Sequence, residues 1–227
     1  MKGFFALFLR EIIATAIVFP APLLIILVIM GIPLFFDLSK SREFVSIIVF
    51  ITNIAFTIPP FFLILSFQRD IRSNFGALAA YRASGAEIML CKYFAALTLG
   101  LVISFHASIW PYMDSVRTEN TLFRLNQAET GYAILTFRTF LDVLFFSGMV
   151  CLAEGLQFLV KRGREIIWIA VFLGGSILLF IPGKALYTPL FGSFRAQDGF
   201  ILLSGLLFFV LGVIFFHRYS GVQKGAE

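Results

Sequence analysis

Charge is scarce in this chain. Asp, Glu, Lys and Arg make up 14% of its 227 residues, against about 25% in an ordinary soluble domain. With 59% apolar residues and a mean hydropathy of +0.95, the chain is solvated by lipid and is best counted in spans of roughly 20 residues. Cysteine is also rare: Cys91 and Cys151 are the only two. Both fall in apolar or membrane-end segments without metal-ligand neighbours, which argues against a disulfide framework or a zinc site. Histidine is as rare, and His106 has no second ligand near it in sequence.

Other motifs are missing altogether. No G-x-x-x-x-G-K-[ST] phosphate loop occurs, so any nucleotide energy must come from a partner. Ser147-Gly148 lacks the G-x-S-x-G context of a hydrolase nucleophile. Of the ionisable residues inside spans, Asp142 and Glu154 stand twelve positions apart, about 18 Å along a helix, too far for a carboxylate pair. His106, Asp142 and Glu154 are therefore expected to be satisfied polar residues at interhelical contacts, and no catalytic or metal site is expected. The net charge of +5 is dispersed over short loops. Membrane topology explains it better than nucleic-acid binding.

What is present is phenylalanine, 30 residues of it, and long apolar runs. The expected fold class is an all-α integral membrane protein, one permease-like domain over 1–227 with six transmembrane helices. The spans fall at about 12–36, 44–67, 88–110, 132–160, 166–181 and 200–216. An N-terminal amphipathic segment, "MKGFFALFLRE", is expected at the interface. The run Met1 to Phe36 reads as a retained first span, being longer than a signal-peptide core of about 7–15 residues. The longest connections are 111–131 and 182–199, both assigned outside.

Orientation follows from the basic residues. With the N-terminus inside, eleven of the 18 Lys and Arg face the cytoplasm, including Lys92 and the cluster "KRGR" at 161–164. Arg138 and Arg195 are among those left outside. Both termini are then cytoplasmic.

Between spans 2 and 3 lies "RDIRSNFGALAAYRASGAEIMLCK". Phe75, Leu78, Ala79 and Arg82 share one helix face by their spacing. Gly85 is placed to stop that helix, and Glu87 opens the next span near its positive end. A short helix of small side chains suits a groove on another protein; an interfacial helix resting on lipid headgroups fits the same spacing.

Arg82-Ala83-Ser84-Gly85, within "ALAAYRASGAEIMLCKYFAAL", resembles the cytoplasmic coupling segment of the lipopolysaccharide-export permeases, the LptF/LptG (YjgP/YjgQ) family. "FLREIIATAIVF", "IPPFFLILSFQRD", "VKRGR" and "LLFFVLGVIFFHRY" have the character of the family's flanking segments. The resemblance covers the membrane part only. Ala77 stands where the family has an acidic residue, and 111–131 stands where it has a periplasmic β-jellyroll domain. Of the family's basic residues at the outer end of span 1, Lys40 and Arg42 remain.

The resemblance implies a permease subunit of an ABC transporter in the bacterial inner membrane, exporting or extracting a lipid or lipopolysaccharide-like substrate. It has no ATPase site of its own. Its implied partners are an ABC ATPase dimer carrying ATP and Mg, a second permease subunit and the lipid. Phe75, Leu78, Ala79, Arg82, Ser84, Gly85 and Glu87 would couple to the ATPase, and Lys40 and Arg42 would meet substrate. An ABC-2 type exporter permease is the near alternative, although Gly76-Ala77-Leu78-Ala79 copies that group's acidic motif poorly. A membrane scaffold or assembly subunit is the other.

Overall fold

A computed structural model describes residues 2–18, 57–72, 83–117, 132–159, 164–180, 189–191 and 194–219. These form six helices: α1 (Lys2–Val18), α2 (Ile58–Arg72), α3 (Gly85–Arg117), α4 (Tyr132–Leu156), α5 (Arg164–Phe180) and α6 (Ala196–Tyr219). A short antiparallel ribbon, β1 (Pro189–Phe191) with β2 (Phe194–Arg195), leads directly into α6. Among the described residues, three helical stretches are long and apolar enough to cross a membrane: Gly85–Phe105, Thr136–Leu156 and Ala196–Tyr219. The apolar helix α5 is shorter. Most of the first two expected spans lies outside the described residues.

Helix boundaries follow local chemistry. Pro59 and Pro60 occupy the first turn of α2, where their missing N–H groups have no intrahelical acceptor to lose. The helix therefore begins here, and Phe61 N donates to Thr57 O at 3.0 Å. At the N-terminus the expected division between an interfacial segment and span 1 is not seen. Residues 2–18 are one helix, and Glu11 at its middle is fully buried. Likewise α3 does not stop at Pro111 but runs on to Arg117; a proline removes one hydrogen bond, which a membrane helix tolerates.

Helix α4 is the centre of the bundle, with 67% of its span buried against 28% for α6. Its most extensive partner is α6. Glycines let the two backbones approach. A Cβ added at Gly148 would lie 2.3 Å from Gly205 O, and one at Gly155 would lie 2.6 Å from Gly212 O. Both glycine pairs are seven apart on each helix, so one stripe of α4 meets one stripe of α6 in parallel. Small residues in this arrangement replace the hydrophobic drive that lipid does not supply.

Among the described residues the core gathers in two places. One gathers Leu7, Leu63, Phe67, Ile88, Tyr93, Cys151 and Phe216 from five helices. The other joins Leu141, Phe145 and Met149 of α4 to Ile201 of α6. Tyr93 stacks on Phe209 with ring centroids 3.9 Å apart, and Phe216 takes an edge-on contact from Phe158. The opposite faces of α5 and α6 expose Ile166, Ile169, Leu173 and Ile177, and Leu203, Leu207, Val210 and Ile214. Apolar stripes of this width suit the hydrocarbon of a bilayer.

Candidate functional site

Among the described residues, charged side chains gather where α1, α2 and α3 meet. Lys92, eight residues into α3, is buried and pairs directly with Asp70 Oδ2. Its ammonium donates to Ser66 O at 3.1 Å and to the Ser66 hydroxyl. It stands 3.4 Å from Glu11 Oε2 and 5.3 Å from the centre of the Phe67 ring, a cation–π distance. Ser66 Oγ donates to Glu11 Oε2 at 2.6 Å.

Two arginines complete the cluster from its open edge. Arg69 donates to both oxygens of Glu11, at 2.9 and 3.1 Å. Arg10 donates to Asp70 Oδ1 at 3.0 Å. Glu11, Asp70 and Lys92 are almost wholly buried, whereas the Arg10 and Arg69 side chains are 22% and 39% exposed. Burial alone would raise the Asp70 carboxyl, but Lys92, Arg10 and Arg69 outweigh it and hold Asp70 below its ordinary value of 3.8. Buried charges of both signs that satisfy one another fix how helices meet, because moving any one helix leaves a charge unpaired.

This cluster was not anticipated from the sequence. Lys92 counts there as a loop charge at the cytoplasmic boundary, yet the structure places it inside the bundle. The available signal was the sign of its neighbours. Glu11 and Asp70 are acidic residues on a side otherwise rich in Arg and Lys, at the ends of two segments assigned to the same membrane face.

Beside the cluster, Ser84 and Glu87 form a reciprocal cap on α3. Ser84 N donates to Glu87 Oε2 at 2.8 Å, and Glu87 N donates to Ser84 Oγ at 3.3 Å. This is a capping box, in which each side chain satisfies the other's backbone donor. Gly85 is thus the first helical residue of α3. Its expected part in stopping a preceding helix falls on 73–82, outside the described residues. Glu87, expected to face an ATPase, is engaged by its own helix end. Phe75, Leu78, Ala79, Arg82, Lys40 and Arg42 also lie outside the described residues.

The remaining intramembrane candidates divide. Glu154 accepts from Gln157 one turn on, as expected of a satisfied polar residue. Asp142 departs from that expectation. Among the described residues it has no hydrogen-bond or ion-pair partner, and it faces a cavity between α2, α4 and α5. The nearby Arg138 is taken by Asp198 at 3.3 Å. The side chain of His106 lies outside the described residues. Cys91 and Cys151 are free and buried, with Cys91 Sγ directed at Phe4 O, 3.4 Å away.

Apolar outer faces, a glycine-packed helix pair and a charge cluster at one end of the bundle make this a helical protein with three described helices long and apolar enough to cross a membrane. Comparison with known families, curated proteins and solved structures finds no match.

Proposed function

We propose that this chain is a permease subunit of an ABC transporter, acting on a lipid or lipopolysaccharide-like substrate at the inner membrane and driven by a separate ATPase. The observation that supports it is mechanical. Segment 73–82 runs between two anchored points: α2 ends at Arg72, two residues beyond the Asp70–Lys92 pair, and α3 starts at the Ser84–Glu87 cap. The charge cluster ties both helices to α1. A force applied to this segment is then delivered to three helices together, as a coupling element requires. In this reading the permease's task is leverage, and ATP with Mg is held by the partner.

The test is association with the ATPase. Leu78→Asp and Arg82→Asp each put an acidic group on the face expected to dock. Both variants should insert normally but lose the ATPase during affinity purification from native membranes. Full recovery of an ABC ATPase with both variants would remove the docking idea. Recovery of none with the unaltered chain would point instead to an assembly subunit.

A further inference from the structure

Half-buried on α4, Asp142 is the one intramembrane carboxylate discussed above with no hydrogen-bond or ion-pair partner among the described residues. It opens onto a cavity of about 650 Å³ whose other walls include Pro60, Phe61 and Ile64 of α2, Phe146 of α4 and Phe172 of α5. That volume is within the roughly 300–1,000 Å³ of small-molecule sites, and an apolar lining with few polar groups is their usual chemistry. The charge acting on Asp142 is that of Asp198, which has the same sign. The adjacent cation, Arg138, already pairs with Asp198. An ionised carboxylate against apolar walls is costly unless a cation meets it.

We infer that this cavity is a binding site for an amphiphile with an apolar chain and a protonated amine, the chain held by the phenylalanine walls and the ammonium by Asp142. A carboxylate-bearing amphiphile would bring like charge to Asp142 and is disfavoured. An alcohol of equal chain length would bind through its chain, with a neutral hydrogen bond at most. The site lies apart from the α1–α2–α3 charge cluster and does not depend on ATPase coupling.

The protein carries a reporter. Trp168 stacks on Phe172 with ring centroids 5.5 Å apart, so a heavy atom in the cavity will quench it. The other tryptophan, Trp110, is removed by Trp110→Phe. The full chain in nanodiscs of phosphatidylglycerol is titrated with a bromododecylamine, the matching alcohol and the matching carboxylate. Saturable quenching is expected, with the amine binding about tenfold or more tighter than the alcohol, as a charge-assisted contact implies. Asp142→Asn should bring the amine to the alcohol's affinity and leave the alcohol unchanged. It should not lower the melting temperature, because it removes no polar contact to any described residue. Ile64→Phe, which puts a larger side chain into the cavity, should weaken all three.

Equal binding of the three head groups, an amine preference that survives Asp142→Asn, or quenching that does not saturate would each overturn the assignment. Repeating the titration in phosphatidylethanolamine discs separates two sources of the amine. Competition seen with Asp142 but lost in Asp142→Asn identifies a bilayer headgroup, and no competition identifies an amphiphile entering from water.

Discussion

Lys92 illustrates how a single side chain can bind three helices. It is buried beside two carboxylates, and removing it takes from Asp70 and Glu11 their one buried cation among the contacts described above, the two arginines being partly exposed. Breaking a buried pair by deleting one partner costs about 3–5 kcal/mol. Lys92→Met should therefore lower the unfolding midpoint in detergent strongly. Adding Asp70→Asn should cost less than the two single changes together, because the partners act as a unit. Simple additivity in that double-mutant cycle would show that the pair is not coupled. Acid titration probes the same site. The Asp70 value is depressed by folding, so its contribution is complete above the ordinary 3.8 and is lost as pH falls through the lower folded value. Thermal midpoints of the native chain should lose this contribution only below about pH 4, and Asp70→Asn should flatten that part of the curve. An equal acid-side decline in both proteins would assign it to other carboxyls.

At the scale of elements, a packed and an open glycine invite opposite outcomes of the same substitution. Gly148 sits where a Cβ would strike the Gly205 carbonyl at 2.3 Å, whereas no described residue lies within 4 Å of a Cβ at Gly174. Gly148→Ala must push α4 and α6 apart, with a loss of about 1–3 kcal/mol from overpacking. Gly174→Ala meets open space within a helix and should be neutral or gain up to about 1 kcal/mol. Unfolding of both variants in mixed micelles checks the contrast; equal effects would dismiss the close approach. The α3 cap is smaller in consequence. Ser84→Ala removes the hydroxyl that Glu87 N donates to and should cost about 0.5–2 kcal/mol. If α3 is the lever proposed above, that variant should also reduce ATP-driven transport more than its stability loss explains.

The whole molecule is ordered by direction. Arg138 with Asp198, Gly148 with Gly205 and Gly155 with Gly212 rise together along α4 and α6, so these two helices run in the same direction. That is the parity expected of the fourth and sixth spans. Cysteine labels at Leu159 and Tyr219 should react from one side, and labels at Ala133 and Gln197 from the other. Reaction of Leu159 and Tyr219 from opposite sides would refute the parallel pair. The unmatched Asp142 and the matched charge cluster belong to different levels of this same bundle. One faces a cavity, and the other closes the junction of α1, α2 and α3.

Composition and hydropathy alone pointed to lipid as this chain's solvent, because so few charges stand among so many apolar residues, and three described helices are long and apolar enough to span it. The courses of α3, α4, α5 and α6 were also legible, since an apolar run of about span length declares a helix without knowing its neighbours. Ser84-x-x-Glu87 could be read locally too, being a contact between residues one turn apart. Tertiary structure alone decided the rest. Glu11, Asp70 and Lys92 lie far apart in sequence, and nothing in one segment reports that a charge of opposite sign will meet it. Asp142 and Glu154 look alike as acids within one apolar helix. Only the packing of α2 and α5 against α4 leaves the first facing an apolar cavity, while Gln157 satisfies the second from its own chain.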